Sequence, residues 1–197
     1  MVETTRKSSS SKIYQLKITL LDSKPAIWRR VIIPHELNLA DLHNLIQICM
    51  GWTDCHLHLF RQGQALYSNP KFKLNEDPKV QAVEENKIKL SQVFSKPKDA
   101  LVYEYDFGDG WEHLIELEKF RKPSKNLPKG PACTEVEYSC PLEDSGGIHR
   151  YMEIMNIIMG PSNPEYDDLV DWIPRGFDPE YFDIWRVNYV LRMVFGW

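Results

Sequence analysis

Apolar and polar residues begin to alternate at Ile13; the stretch before it, MVETTRKSSSSK at residues 1–12, is rich in Ser and Lys and reads as a disordered tail. In IYQLKITLL the residues Tyr14, Leu16, Ile18 and Leu20 share one face, with Gln15, Lys17 and Thr19 on the other, the pattern of a half-buried strand. DSKPA supplies turn chemistry, and the β-branched IWRRVII that follows completes a hairpin. The period of two forces a choice in this second strand, because Ile27, Arg29, Val31 and Ile33 oppose Trp28, Arg30 and Ile32. Whichever face is buried takes an arginine with it, and a buried guanidinium requires a carboxylate or carbonyl partner. Asp106, Glu104 and Glu112 are the carboxylates expected to serve.

Asn38 then opens LADLHNLIQICMGW, a helix with an Asn cap, Asp41 in its first turn, an apolar stripe of Leu42, Leu45, Ile46 and Cys49, and Gly51 as its stop. CHLHLF alternates as a third strand, with His56, His58 and Phe60 on one face. Residues 69–99, rich in Pro, Lys, Glu and Asn, predict loops with a short strand and a turn of helix. Across 100–118, a three-residue loop of Gly108, Asp109 and Gly110 gathers the aromatics on one face. It sets Phe107 opposite Trp111, Tyr105 opposite His113, Tyr103 opposite Ile115 and Leu101 opposite Leu117. A two-residue loop would pair Asp106 with His113 and mix charge into both faces, so the longer loop is expected. IHRYMEIMNIIMGP predicts a helix stopped by Gly160 and Pro161, a short helix is expected at 164–173, and DPEYFDIWRVNYVLRMVF predicts a closing helix docked on the core.

Composition leaves this picture intact. With 197 residues, 43% hydrophobic, 26% charged and 12% aromatic, the chain is of a size and kind to bury one core, so residues 13–197 are expected to form a single domain. The start lacks the apolar core of a signal peptide and no stretch approaches a bilayer-spanning helix, so a cytoplasmic protein with no membrane partner is expected. Cys49, Cys55, Cys133 and Cys140 form no C-x-x-C pair and read as thiols; as a metal pair, Cys133 and Cys140 are a weak signal. A net charge of -4 argues against a dedicated DNA-binding domain, although KFRKPSKNLPKG at 119–130 holds five cations and no acid, and residues 165–183 are strongly acidic.

The segments IYQLKITLLDSKPAIWRRVIIP, LHNLIQICMGW with HLHLF, YEYDFGDGWEH, CPLEDSGG and FDPEYFDIWRVN, in this order over about residues 13–190, resemble the plasmid pRiA4b ORF-3-like family. YDFGDGWEH and EDSGG are the most specific parts. The resemblance implies a compact α+β roll, a mixed sheet with helices on one side, and carries little about function. Some members are labelled mobile-element or resolvase-like, a label that similarity alone does not transfer.

Motifs for known chemistry are missing. Asp106-Phe107-Gly108 matches the kinase DFG, yet there is no Gly-rich loop, strand Lys or HRD loop to accompany it. A P-loop, a dinucleotide fingerprint, a nucleophile elbow and an H-E-x-x-H helix are likewise absent. The remaining constellation is His56, His58 and His113 with Asp106, Asp109, Glu143 and Asp144, side-chain types able to hold a divalent metal and leave a position for water. The bland alternative gives His113 to the core and the acids to capping the helix that follows Gly147. Trp52, Trp111, Trp172, Trp185 and Trp197 exceed what a strand-rich core must use and, beside Arg29 or Arg30 and the basic loop, suggest base stacking or peptide grip.

These observations predict a binding or adaptor domain for a protein or nucleic-acid partner, without a cofactor. The alternative is a metal-dependent hydrolase or nuclease. In either case the expected cleft gathers Asp109 or His113 with Glu143 or Asp144, within reach of Arg29 or Arg30, with His58, Asp106 and Trp111 alongside.

Overall fold

In a computed structural model, residues 12–76, 79–160, 173–174 and 177–197 are described. The tail expected at residues 1–12, except Lys12, the helix expected at 164–173, except Ile173, and Trp172 lie outside them. The alternating segments form strands β1 (Ile13–Leu20), β2 (Trp28–Pro34), β3 (His58–Gln62), β4 (Ala65–Ser68), β5 (Ala82–Glu84), β6 (Ala100–Tyr105), β7 (Trp111–Arg121) and β8 (Ala132–Glu137). They build one eight-stranded sheet in the order β5-β4-β3-β6-β7-β1-β2-β8, antiparallel throughout except for the parallel pair β4 and β5. The helices are α1 (Leu39–Met50), α2 (Leu90–Val93), α3 (Gly147–Met159) and α4 (Ile184–Phe195). The class is α+β, a mixed, mostly antiparallel sheet with its helices on one side. β4 and β8 were not expected, because β4 has only four residues and β8 sits in a stretch of Pro and Cys that carries no clear alternation.

The inner face of the sheet carries Tyr14, Leu16, Ile18 and Leu20 from β1, Val31 and Ile33 from β2, Tyr103 and Tyr105 from β6, and Trp111, Ile115 and Leu117 from β7. α1 lays Leu42, Leu45, Ile46 and Cys49 on this face. Its start is fixed by a capping box in which the Asn38 side chain accepts from the Asp41 amide at 2.9 Å and Asp41 accepts in return from the Asn38 amide at 3.0 Å. Gly51, at φ 85°, ends it in the left-handed conformation that glycine adopts without strain.

Two expectations about pairing change. β6 and β7 pair Tyr105 with Trp111, Tyr103 with His113 and Leu101 with Ile115, two residues away from the expected register. A slip of two keeps every side chain on its face, so the pattern that selected the face cannot see it. The loop is therefore five residues long, closed by the Gly110 amide donating to the Asp106 carbonyl at 2.6 Å, with Asp106 itself at φ 57°. The second change is at the closing helix. α4 packs on β8 and buries Leu191, but Trp185, Tyr189 and Met193 are 85%, 65% and 69% exposed, so its aromatic residues do not all dock on the core.

Candidate functional site

Three loops meet at the end of the sheet where β6 turns into β7. The first follows α1 and runs through Trp52, Thr53, Asp54 and His56 into β3. The second is the five-residue hairpin loop, and the third is the EDSGG segment ahead of α3. Asp109 at the hairpin tip accepts from the Gly146 amide at 3.0 Å. Gly147, at φ 79°, lies so close to the tip that a Cβ there would stand 2.6 Å from the Asp109 carbonyl oxygen, which explains why the chain needs glycine at this contact. Glu143 ties the third loop to the first: it accepts from the Tyr105 hydroxyl at 2.6 Å, from the Thr53 hydroxyl at 2.6 Å and from the Thr53 amide at 3.1 Å. Trp52 adds a bond from its indole nitrogen to the Pro141 carbonyl at 2.9 Å. Burial and the neighbouring Glu143 carboxylate together push the Tyr105 hydroxyl well above the usual phenol range, so it stays a proton donor to that acid.

Within this frame His56 comes between two carboxylates. Its Nε2 lies 3.2 Å from Asp144 and 3.8 Å from Asp106, and one donor atom from each of the three residues falls within 4.8 Å of the others. Ligands about 2.0–2.2 Å from a zinc ion in tetrahedral geometry stand roughly 3.3–3.6 Å from one another, a range that the two separations from His56, 3.2 and 3.8 Å, bracket. One oxygen of Asp106 is oriented by the Gly108 amide at 2.9 Å, which leaves the other facing His56. Asp144 is largely exposed while Asp106 is buried, so the group opens to solvent on one side only. Asp106 and Asp144 both sit at positive φ, a conformation aspartate tolerates better than most residues and one that directs each carboxylate across its own loop.

The other residues singled out in the sequence go elsewhere. His58 is buried on the inner face with Nε2 at 2.9 Å from the equally buried Glu85, and its ring stacks on His43 at 3.6 Å and 10°. His56 precedes β3 on a bend, so the strand period that aimed it alongside His58 does not apply. His43, Asp54 and His58 also bring donor atoms within 4.8 Å of one another. Two parallel stacked imidazoles hold their lone pairs in separate planes, however, and one ion cannot lie in both. This second group is a buried polar cluster: His43 meets the Tyr103 hydroxyl at 2.8 Å and Asp54 at 3.0 Å, and Gln47 donates to the same hydroxyl at 2.9 Å. Burial first, and then His58, push the His43 pKa down to about 3, so the ring is neutral.

His113 lies in the core with Nδ1 3.2 Å from the Trp111 carbonyl, and burial pushes its pKa down to about 4. Trp111 is buried beside Trp52. Arg29 is the buried arginine, but its partners are carbonyls and not Asp106, Glu104 or Glu112. Arg30 points to the opposite face of the sheet, where it pairs with Glu118 at 2.7 Å and with Glu135. Glu104 and Glu112 face Arg61 there. Of the expected cleft, the structure gathers Asp106, Asp109, Glu143 and Asp144 and adds His56, Thr53 and Tyr105. Neither acid of EDSGG caps α3; the Gly146 amide is met by Asp109 from the hairpin instead. Thr53 carried no sequence signal beyond following the helix stop.

The family model described as plasmid pRiA4b ORF-3-like protein matches residues 12–186. An uncharacterized protein of Sinorhizobium fredii, y4hQ, is 32% identical over 163 residues, covering 82% of this chain and 81% of its own length. The crystal structure of a protein of unknown function from Methanosarcina mazei, MM3350, superposes with a TM-score of 0.78 at 34% identity, covering 89% of this chain and 96% of the other.

Proposed function

Because this chain belongs to the plasmid pRiA4b ORF-3-like family, and the names of the relatives it matches assign no activity, we propose from its own geometry that it holds a divalent cation at His56, Asp106 and Asp144. The reaction class that follows is metal-assisted hydrolysis. The observation that carries this reading is the convergence on one point of an imidazole and two carboxylates from three separate loops, at ligand spacing. Three protein ligands leave coordination positions for water, and a divalent ion held there would lower the pKa of that water and so supply a hydroxide nucleophile. Asp109 and Glu143 hold the three loops together and so position the ligands without joining them. Of the hydrolase and the nuclease, the hydrolase is favoured. Arg30, Lys17, Lys119 and Arg121 line a groove of about 550 Å³ on the far face of the sheet, away from the proposed ion.

The test is a titration of chelator-treated protein with Zn²⁺ and with Mn²⁺, followed by calorimetry and thermal unfolding. One equivalent should bind and raise the unfolding temperature, since an ion at about 100 times its Kd adds roughly 2.7 kcal/mol. His56→Ala and Asp106→Asn should each abolish the shift, whereas Glu118→Gln, on the far face, should keep it. Equal binding by all four proteins, or none by the wild type, removes the reading. In that event the second reading, a binding domain without chemistry of its own, takes its support from the exposed apolar face of α4.

A further inference from the structure

α4 forms one wall of a groove of about 510 Å³, whose other wall is the end of the basic loop, at Pro128, and the start of β8. Trp185, Arg186, Tyr189 and Arg192 line the helix side, and Trp197 lines it as well. The volume is that of a small-ligand site. Asn188 fixes the helix to β8, its side-chain nitrogen donating to the Cys133 carbonyl at 2.8 Å and its oxygen accepting from the Cys133 amide at 2.9 Å. The opposite wall is anchored too. Leu127 and Trp197 pack on Ile13, Ile32 and Ala132, and the Trp197 ring lies so close to Gly130 that no side chain fits there. Arg186 and Arg192 are both exposed, and neither guanidinium meets a carboxylate among the described residues; Arg192 lies 5.0 Å from the Trp197 ring. The one acid in the described lining, Asp183, caps α4 by accepting from the Arg186 amide at 2.9 Å. Asp178 and Glu180, ahead of the helix, do not line the groove.

We propose that this groove binds a nucleotide, free or within a single strand, with its base laid on Tyr189 and Trp185 and its phosphate held by Arg186 and Arg192. Tyr189 stands three residues from each arginine, so the stacking surface and both guanidinium groups share one side of the helix. Exposed Tyr and Trp rings stack on any base, because every base has a flat π-face. The charge selects the rest of the ligand. A phosphate presents enough oxygens to take the forks of two arginines, whereas a single carboxylate is filled by one. The groove also brings together two features that the cation site leaves unused, the tryptophans Trp185 and Trp197 and the basic loop at 119–130. Lys122, Lys125 and Lys129 of that loop are exposed and meet no acid among the described residues, which extends the positive charge beyond the groove wall.

This inference does not depend on the cation site, and the full chain is therefore titrated with a chelator present. Adenosine monophosphate should quench the tryptophan fluorescence and saturate below about 1 mM. Adenosine alone and inorganic phosphate alone should each bind about tenfold more weakly or worse, since each keeps only part of the contacts. Tyr189→Ala and Arg186→Gln, both at exposed positions, should each weaken the nucleotide by about tenfold and leave the circular dichroism spectrum unchanged. A single-stranded oligonucleotide in the same titration separates the two sources. Binding that is tighter than that of the mononucleotide and falls with salt supports a strand, and binding no tighter supports a free nucleotide. Saturation by neither probe overturns the proposal. Adenosine or phosphate binding as tightly as the mononucleotide overturns it equally, as do variants that bind like the wild type.

Discussion

Arg29 brings its guanidinium fully into the core, where Nε donates to the Cys49 carbonyl at 3.0 Å and Nη1 to the carbonyls of Trp28 and Glu137 at 2.9 and 3.0 Å. Nη2 reaches the Cys140 sulfur at 3.0 Å, and the Phe182 ring lies 4.2 Å from the guanidinium carbon. Cys49 is in the last turn of α1, so the negative end of that helix does the work of a carboxylate. Removing the side chain strands these acceptors in a dry interior. Arg29→Ala should therefore cost about 3–5 kcal/mol in urea unfolding, against less than about 1 kcal/mol for the partly exposed, salt-bridged Arg30→Ala. Equal losses would show that the carbonyl cradle contributes nothing special. The alternation of IWRRVII is enough to require one buried arginine. It cannot name the partner, because a helix end contributed by residues far along the chain leaves no mark on the strand's own pattern.

At the level of elements, periodicity proved a good guide to faces and a poor one to registers and loop lengths. Tyr103, Tyr105 and Trp111 lie on the face expected, while the pairing is displaced by two residues, which leaves the alternation unchanged but moves Phe107 from its expected place opposite Trp111 into the loop, where it is exposed. The site shows the same division. YDFGDGWEH and EDSGG were legible as polar, glycine-rich loops at strand and helix ends, and they do touch. His56 belongs to that site because β3 starts two residues later than the alternation of CHLHLF suggests, and a bend obeys no period. α4 was legible as a helix but not as an exposed one, because apolar residues surround its circumference and a pattern of that kind does not say which side meets the core. The contact between Gly147 and Asp109 lends itself to a direct test. A methyl group at 147 would meet the Asp109 carbonyl at 2.6 Å on a backbone at φ 79°, so Gly147→Ala must push the hairpin tip and the EDSGG loop apart. It should lower stability by about 1–3 kcal/mol and weaken cation binding at His56, Asp106 and Asp144 in the same titration. Gly63→Ala, at φ 57° but with open space around it, should cost stability alone. Cation affinity untouched by Gly147→Ala would separate the ion from the meeting of these two loops.

For the molecule as a whole, the buried histidines link global stability to pH. His43 and His113 lie between α1 and the sheet, and burial lowers their pKa values from 6.5 to about 3 and about 4. Below pH 6.5 the unfolded chain takes up protons at both positions that the folded chain refuses, so the balance moves toward unfolding as pH falls. The contribution of His113 is fully present above pH 6.5 and is lost progressively down to about pH 4, while that of His43 continues to fall to about pH 3. Glu118 acts in the same direction at the acid end. The Arg30 guanidinium holds its carboxyl below 4.5, and the stability it brings is present above that value and lost as pH drops past it. Unfolding free energy measured with urea should thus decrease from pH 7.5 to pH 4.5, with each histidine adding a slope of up to about 1.4 kcal/mol per pH unit. His113→Asn isolates one of these slopes, because the asparagine amide can still donate to the Trp111 carbonyl but does not titrate. The variant is expected to start less stable at pH 7.5, since a smaller side chain leaves space in the core, and then to lose stability less steeply below pH 6.5 than the wild type. Parallel curves for the two proteins would mean that His113 takes up its proton as readily in the folded chain as in the unfolded one.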